Sequence, residues 1–487
     1  MMELRKFDSS NVRLNRDFVG FPLIHNELLD IVKYLDYLTK LDQEGKYDQR
    51  RMLIQSECGS LFLGRSGTGK THALHCVINE AKEIGYYPVD GSIMFKKEKL
   101  TPEDVGEFFD ECREKAKEEN VLISYDDAKQ LLGHNSRDGE DAGEGSGRND
   151  LENAMLEEFR RQTDRLADFN HPAYIIITSV ARRRDMDEQI ARRFSRHVIF
   201  GTPSDESRKA LFDYYLHKFG YNPDSIDTIT LSYLTSGIVT GRVKEIVSRS
   251  SYKSSIEGQL TNKLMVRVIT KLFQGPPVDA ALTEDEKTQT AYHEFGGHTL
   301  LAYLVGLEPI LVTIEPSADG SFGKSLHRPS KRIPPASSIY LFANEITFMG
   351  STAVYNELNK GTEEGRLNDL VSAADTALEL YALKNPIIKM RIGWRETYLS
   401  KGLQSDESRK DVEEEISRIK DTALTIAKSL VKEYKDTIKT FVEEHLIHNE
   451  TMVRQEIIKT LKDMGVESGK SYEAVCDVLR NDLGYII

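Results

Sequence analysis

One octet decides the fold of the first half of this 487-residue chain: Gly64-Arg65-Ser66-Gly67-Thr68-Gly69-Lys70-Thr71. It matches GxxxxGK[ST] and lies between a short apolar stretch, residues 60–63, and a helical pattern over residues 73–84. In a strand–loop–helix of this kind, backbone N–H groups surround phosphates, the lysine reaches the β- and γ-phosphates, and the Thr71 hydroxyl can ligate Mg²⁺. The octet therefore predicts a P-loop that binds ATP with Mg²⁺, and a chance glycine-rich turn is the less favoured interpretation.

Acidic residues follow the next buried strand pattern, as a P-loop ATPase requires. The apolar run of residues 121–125 leads into Asp126 and Asp127. We expect Asp126 to hold Mg²⁺ through water and Asp127 to polarise the attacking water. A strand ending in a solvated acidic turn would look the same, but its pairing with the P-loop favours the functional interpretation. Further strand patterns at residues 174–179 and 198–200 alternate with helices, which predicts a parallel sheet covered on both faces.

Composition excludes several classes of protein. The net charge of −13 argues against general affinity for nucleic acid or anionic membranes. The four cysteines lack CxxC spacing and are predicted to be free thiols in a reducing compartment. No apolar run approaches the ~18 residues that a membrane span needs, and the N-terminus has no signal-peptide pattern. We therefore expect a soluble, cytoplasmic protein with no membrane insertion and no nucleic-acid partner.

A second motif raises a geometric problem: His293-Glu294-Phe295-Gly296-Gly297-His298. In the zinc motif HExxH the histidines are four residues apart and about 40° apart around an α-helix. Here they are five apart, which places them about 140° apart on a regular helix. Either the helix is locally distorted or this is not a zinc site. A π-bulge, with i→i+5 bonding, would return both imidazoles to one face, and two glycines would not clash there.

The order of the first-half motifs resembles the AAA+ ATPases. A P-loop, an acidic strand, a strand ending at Ser179 and an Arg-Phe-x-Arg element follow one another as in that family. The resemblance implies that Arg193 and Arg196 reach the nucleotide of a neighbouring subunit, where a guanidinium stabilises the transferring phosphoryl group. It also places Ser179 at the sensor position and Arg242 near the second sensor. Any one of these arginines alone would be interpreted as forming a surface salt bridge.

The chain resembles the FtsH family of AAA zinc metalloproteases from about residue 15 to about residue 385, and motifs in its second half carry this resemblance. Residues 290–298 resemble the family's TAYHEAGH, residues 312–316 its next strand, and Asn368-Asp369-Leu370 its NDL. The resemblance implies that His293, His298 and Asp369 bind Zn²⁺ and that Glu294 is the general base. It further implies a homo-hexameric ring that draws protein substrates through a pore lined by Phe95.

These features predict an α/β P-loop AAA+ module, with a parallel sheet and a helical lid, followed by a mainly α-helical zinc metalloprotease domain. The predicted boundaries are 1–14 for a flexible N-terminus, 15–202 for the large ATPase subdomain, 203–274 for the lid and 275–487 for the peptidase domain. The charged helical region after residue 386 carries an apolar face and is interpreted as packing or subunit contact rather than chemistry.

The sequence departs from the family at four points: the extra residue between the histidines, Asp127 in place of Glu, Ser179 or a neighbour in place of the sensor Asn, and Phe95-Lys96-Lys97 in place of Phe-Val-Gly. The leading hypothesis is an ATP-dependent zinc endopeptidase that unfolds and translocates its substrates. A second is an AAA+ remodelling or regulatory ATPase whose peptidase domain is inactive because of the extra residue. A third is a nucleotide-binding switch with little turnover.

Overall fold

The computed structural model describes residues 4–96, 100–128, 150–180, 186, 188–274, 282–316, 322–335, 337–384 and 406–485. The chain forms two compact units. The first comprises Met1–Pro223 and Thr235–Ser248, and the second comprises Asp224–Leu234 and Arg249–Ile487. The domain boundaries given above remain predictions.

A five-stranded sheet organises the first unit, and all of its strand pairs are parallel. Its strands are β1 (Gly59–Gly64), β2 (Tyr86–Asp90), β3 (Asn120–Tyr125), β4 (Ala173–Ser179) and β5 (Arg196–Phe200). The order across the sheet is β2-β3-β4-β1-β5. Every residue of β3 and β4 is buried, as expected of parallel strands that are covered on both faces. The predicted α/β sheet is confirmed, and β2 is the strand that the sequence pattern did not indicate.

Helices cover both faces of this sheet. In the first unit they are α1 (Leu14–Asp17), α2 (Pro22–Gln43), α3 (Tyr47–Ser56), α4 (Lys70–Glu83), α5 (Pro102–Lys115), α6 (Asp150–Asp164), α7 (Glu188–Arg193) and α8 (Asp205–Lys218). Short 3₁₀ turns occur at Gly91–Lys96, Arg165–Asp168 and Pro223–Ser225. One apolar core contains Phe108 and Phe159, and another contains Phe62 and Phe200. These two cores hold the P-loop at the edge of the sheet where the parallel strands end.

The N-terminal stretch contacts the sheet and helix α4. Lys6 forms an antiparallel bridge with Val89 of β2. The Ser9 hydroxyl donates to Asn79 Oδ1 at 2.5 Å, and Asn79 Nδ2 donates to the Ser10 carbonyl at 2.7 Å. Part of the stretch predicted to be flexible is therefore hydrogen-bonded to the ATPase core.

The second unit is mainly helical, as predicted. The helices from residue 228 onwards are α9 (Thr228–Leu234), α10 (Thr240–Glu257, shared by the two units), α11 (Asn262–Gln274), α12 (Glu284–Ala291), α13 (Leu300–Val305), α14 (Ser338–Leu358), α15 (Glu363–Lys384), α16 (Asp406–Glu433), α17 (Lys435–Phe441), α18 (Ile447–Asn449), α19 (Arg454–Asp463) and α20 (Tyr472–Asp477). π-helical turns occupy Tyr292–Thr299, Val442–Leu446 and Val478–Asp482.

A small antiparallel sheet completes the second unit. Its strands β6 (Glu308–Thr313), β7 (Lys324–Arg328) and β8 (Thr451–Val453) lie in the order β7-β6-β8. Among the described strands, β7 pairs only with β6, so it is an edge strand of this sheet.

None of the helices in the described ranges is both long enough and apolar enough to span a bilayer.

Candidate functional site

The helix that carries both histidines is π-helical over Tyr292–Thr299 and continues without a break from α12 into α13. The Leu300 N–H donates to the Phe295 carbonyl, five residues earlier, where an α-helix would use the residue four earlier. The predicted local distortion is therefore confirmed. It absorbs the extra residue between the histidines, so His293 and His298 lie on the same face.

Three donors converge at this face. His293 Nε2 and His298 Nε2 are 3.4 Å apart, and Asp369 Oδ2 lies 3.4 Å from the first and 3.2 Å from the second. Two nitrogens and one carboxylate oxygen, each about 2.0–2.1 Å from a tetrahedral zinc ion, would be separated by about 3.3 Å. The three side chains are the one group of potential metal ligands found within the described ranges. Their chemistry and spacing both fit zinc.

Two further observations support a cation at this point. Asp369 Oδ2 is buried between the two imidazole nitrogens, at 3.2 and 3.4 Å, so its charge has to be balanced by a cation, either a metal ion or a protonated imidazole. Burial lowers the pKa of His293 to about 4, which keeps its imidazole in the neutral form that binds a metal.

Glycines allow the helices of the site to approach closely. A Cβ at Gly297 would lie 2.9 Å from the Ser351 amide nitrogen of α14, and a Cβ at Gly350 would overlap the Gly297 carbonyl oxygen. On α15, a Cβ at Gly365 would lie 2.6 Å from His293 Cε1. Asp369 follows Gly365 by one helical turn, so the close approach of α15 to His293 also brings Asp369 beside the histidines.

Glu294 is buried beside the ligands and held by strand β7. The Ser325 hydroxyl donates to the Glu294 carbonyl at 2.7 Å, and the Thr299 hydroxyl donates to it at 3.2 Å. Gly323 lies over the carboxylate, since a Cβ there would be 3.0 Å from Glu294 Oε1. Burial raises the pKa of Glu294 to about 7, a value suited to a group that accepts and returns a proton near neutral pH.

The sequence analysis missed His327 and Asn344. His327 Nε2 and Asn344 Oδ1 are 2.7 Å apart, and the other ring nitrogen, Nδ1, is buried without a hydrogen-bond partner in the described part of the chain. Burial, with a smaller contribution from the charge of nearby His298, lowers the pKa of His327 to about 4. A single histidine in a weakly patterned strand gives no sequence signal, so only the packing reveals it.

The C-terminal helices support the zinc-site helix. Phe441 stacks on Phe295 with ring centroids 3.6 Å apart, and Tyr292 donates to Glu443 Oε1 at 3.1 Å. Strand β8 adds to the sheet that carries Ser325. The prediction that this region contributes packing rather than chemistry is consistent with these contacts, and the packing lies directly behind the predicted metal ligands.

The nucleotide site is formed at the end of β1. Lys70 Nζ donates to the carbonyls of Gly64 and Arg65 at 2.8 and 2.9 Å, which marks the space that phosphate oxygens would take. Gly67 and Gly69 have φ values of 78° and 102°, a region that favours glycine. The adjoining cavity of about 500 Å³ is lined by the P-loop from Ser66 onwards and by apolar and aromatic side chains, among them Phe18, Val19, Tyr214 and Tyr215.

Two threonines, Thr71 of the P-loop and Thr178 of β4, hold the two aspartates. Asp126 Oδ1 accepts from Thr71 Oγ1 at 3.0 Å and from Thr178 Oγ1 at 2.6 Å. The Asp127 amide donates to Thr178 Oγ1 at 2.8 Å, and Asp127 has a left-handed φ of 54°. Thr178 therefore orients both acids at the predicted Mg²⁺ position. Ser179, the predicted sensor, is fully buried next to it at the end of β4.

The predicted arginines are engaged within this chain. Arg193 makes two hydrogen bonds with Asp164, at 2.7 and 2.8 Å, and Arg196 donates to Glu57 Oε1 at 2.8 Å. Arg242 donates to Glu245 Oε2 at 2.6 Å. Among the described residues, none of the three lines the nucleotide cavity of its own subunit.

Phe95, the predicted pore residue, belongs to the 3₁₀ turn Gly91–Lys96, and its side chain lies outside the described part of the structure.

Comparison with known proteins assigns both halves. Residues 60–202 match the family described as "ATPase family associated with various cellular activities (AAA)", and residues 280–460 match "Peptidase family M41". The chain is 25% identical over 477 residues to "ATP-dependent zinc metalloprotease FtsH 3" of Petrotoga mobilis, covering 93% of this chain and 70% of that protein. It is 28% identical over 332 residues to "ATP-dependent zinc metalloprotease YME1L" of Drosophila melanogaster, covering 64% of this chain and 44% of that protein.

A solved structure is also similar. A chain of the E. coli MS115-1 HORMA:CdnC:Trip13 complex aligns with 57% of this chain and 98% of its own length, at 18% identity and a TM-score of 0.44. The two family matches and the relatives together decide the assignment. This chain is an FtsH-like protein, in which an AAA domain precedes a peptidase family M41 domain.

Proposed function

We propose that this protein is an ATP-dependent zinc endopeptidase that unfolds polypeptide, draws it through a hexameric AAA+ ring and hydrolyses its peptide bonds. The observation that carries the peptidase half is the triangle of His293, His298 and Asp369, with donor atoms 3.2–3.4 Å apart. The relatives bear the name of ATP-dependent zinc metalloproteases, at 24–28% identity. Four buried, free cysteines support a reducing, cytoplasmic setting.

The residues around the triangle fit peptide hydrolysis. Zinc bound there would supply Lewis-acid polarisation of the scissile carbonyl and would acidify a water molecule. Glu294 takes a proton from that water on its carboxylate and returns it to the leaving amine nitrogen. Ser325 and Thr299 hold the Glu294 carbonyl, which fixes the backbone that aims the carboxylate.

Strand β7 offers a place for the substrate backbone. An extended polypeptide can add to a free sheet edge through main-chain hydrogen bonds, and this recognition does not depend on side-chain sequence. Gly323, the residue just before β7, lies against Glu294, so a polypeptide strand added along β7 would pass beside the general base. This mode suits an enzyme that acts on unfolded chains.

The ATPase half uses the P-loop and its acidic partners. Lys70 contacts the β/γ-phosphates, Thr71 and Asp126 hold Mg²⁺, and Asp127 orients the attacking water. In a hexamer, Arg193 and Arg196 reach the nucleotide of the adjacent subunit, and Phe95 grips the substrate in the pore. The pairing of Arg193 and Arg196 with Asp164 and Glu57 would have to open or rearrange on assembly.

The alternative of an inactive peptidase domain rested on the extra residue in the histidine motif. The π-helical turn over Tyr292–Thr299 supports the active alternative because it leaves His293 and His298 together. The positions of Asp126, Asp127 and Thr178 likewise favour turnover over a nucleotide switch that hydrolyses little ATP.

The test measures zinc content, ATPase activity and casein cleavage of the purified full chain. We expect about one zinc ion per chain and casein degradation that requires ATP. Glu294→Gln should keep zinc and ATPase activity but lower cleavage by about 10²–10⁴-fold. Lys70→Ala should keep zinc but abolish ATPase activity and casein cleavage together. Intact ATPase activity with no zinc and no cleavage would show that the peptidase assignment is wrong.

A further inference from the structure

The second unit contains a cavity of about 610 Å³ on one face of the β6–β7 pair. Its volume lies within the roughly 300–1,000 Å³ typical of ligand pockets. Helix α11 forms the wall opposite the sheet. The apolar lining includes Tyr233, Val266, Ile269, Phe273, Leu311 and Leu326. The composition of the lining therefore suits a large apolar group.

Strand β7 separates this cavity from the metal ligands, because its side chains alternate between two faces. Ser325 and His327 point toward the zinc-site helix and Asn344, at 2.7 Å in each case. Leu326 packs in the opposite direction, against the apolar cluster that includes Val266 and Leu311. The cavity and the candidate metal site therefore lie on opposite faces of the same edge strand.

Gly323 connects the two sites. It lines the cavity, and it also covers Glu294 closely enough that a Cβ would meet the carboxylate at 3.0 Å. No side chain at position 323 separates the general base from the mouth of the cavity. A polypeptide held at the β7 edge beside Glu294 is therefore also beside the cavity.

We propose that this cavity is a specificity subsite for a large apolar side chain of the polypeptide strand bound along β7. The proposal rests on the peptidase function proposed above. Successive side chains of an added strand point to opposite faces of the sheet. When one side chain of the added strand points to the zinc face, the next side chain therefore points toward the cavity. It lies about 5 Å from the β7 side chain directly opposite it.

The charges around the cavity disfavour a basic side chain there. Arg267 pairs with Glu315 at 2.7 Å, and Lys263 pairs with Glu450 at 2.9 Å, so these acids are already neutralised. Lys253, Lys271 and Lys324 also line the cavity, and their positive charges oppose a further cation there. The substrate class is thus unfolded polypeptide that carries an aromatic or large aliphatic residue, and not lysine or arginine, at this one position.

The experiment uses the full chain with ATP and a set of quenched fluorescent peptides. Each peptide varies one position among Phe, Leu, Ala and Lys, and mass spectrometry locates the cleaved bond. At one position near that bond, we expect kcat/KM to be about 10- to 100-fold higher for Phe or Leu than for Ala. Lys at the same position should be cleaved more slowly than Ala.

Two variants test whether the cavity is responsible. Thr270→Trp places a large ring inside the lining and should reduce the Phe/Ala ratio to within about 3-fold of unity. Phe273→Ala removes part of the apolar wall at a side chain that is 46% exposed, so the fold tolerates the change, and it should also lower the ratio. Tyr252→Trp, on the exposed surface of α10, is the matched control and should leave the ratio unchanged.

The outcomes separate this inference from the function it rests on. If the wild-type protein cleaves neither casein nor any peptide, the peptidase function itself is wrong. If it cleaves them but both Thr270→Trp and Phe273→Ala keep the full Phe/Ala ratio, the subsite is refuted and the peptidase function stands. If Thr270→Trp fails to fold, Phe273→Ala alone decides.

Discussion

The contact between Gly297 and helix α14 gives the most direct test of how the zinc site is built. Replacing Gly297 by Ala would put a Cβ 2.9 Å from the Ser351 nitrogen and 3.0 Å from its Cα. Both atoms are backbone, so α14 must move by about half an ångström or more to restore normal carbon contacts of about 3.5 Å. Overpacking of this kind lowers the free energy of unfolding by about 1–3 kcal/mol, while the higher helix propensity of alanine over glycine raises it by about 1 kcal/mol. We expect Gly297→Ala to be destabilised by up to about 2 kcal/mol.

Zinc affinity should respond more strongly than stability. His298 directly follows Gly297, and metal sites require ligand positions accurate to about 0.2 Å. A shift of half an ångström in this turn should therefore weaken zinc binding by at least about 10-fold. Urea denaturation of the metal-free protein measures the first effect, and competition with a chromophoric chelator measures the second.

Gly296→Ala is the matched control for this experiment. A Cβ at Gly296 would meet side-chain methyl groups of Ile438 and Val354 at 3.0 and 3.2 Å, so these contacts have to yield by only a few tenths of an ångström and no backbone atom has to move. We expect stability within about 1 kcal/mol of wild type and unchanged zinc affinity. If Gly297→Ala is as stable as Gly296→Ala and binds zinc as tightly, the argument from helix contact is refuted.

Three further predictions follow from the same structure. Deleting Gly296 should convert the π turn into an α turn and keep His298 beside His293, so chelator competition should find zinc affinity within about 10-fold of wild type. Thr178→Val removes the hydrogen bonds to Asp126 Oδ1 and the Asp127 amide and should lower the ATPase rate by about 10- to 100-fold. Burial raises the pKa of Glu345 to about 8 from its usual 4.5, so the folded protein keeps a proton that the unfolded chain releases. Stability should therefore fall as pH rises from about 4.5 to about 8, by roughly 5 kcal/mol at most, and Glu345→Gln should remove that fall in urea titrations.

Each of these has its own control. Insertion of a third glycine after Gly297 should separate the histidines, and tight zinc binding by that variant would contradict the register argument. Thr240→Val removes only a 3.4 Å hydrogen bond to the Thr68 carbonyl, so a loss of ATPase activity equal to that of Thr178→Val would contradict the role given to Thr178. If the stability of Glu345→Gln keeps the same pH dependence as wild type, another group is responsible for it.

The local chemistry of this protein could be determined from its sequence alone. A phosphate loop needs glycines, a lysine and a threonine within eight residues between a strand and a helix, and all of these are neighbours along the chain. The same holds for Asp126 and Asp127 at a strand end and for Glu294 beside His293. The parallel α/β sheet was also predictable, because alternating strands and helices allow few other arrangements.

Only the tertiary structure decided whether the histidines of the second motif lie close enough together to share a metal ion. With a five-residue spacing the two histidines can point apart or toward each other. Which of these occurs depends on the close packing of Gly297 against Gly350 of helix α14. Asp369 reaches the histidines only because Gly365 allows α15 to pack on His293. Ser325 lies in a strand with no distinctive pattern, and the stacking of Phe441 on Phe295 joins residues far apart in sequence. These contacts join residues distant along the chain, so their geometry is set by packing, whereas the phosphate loop is specified by neighbouring residues.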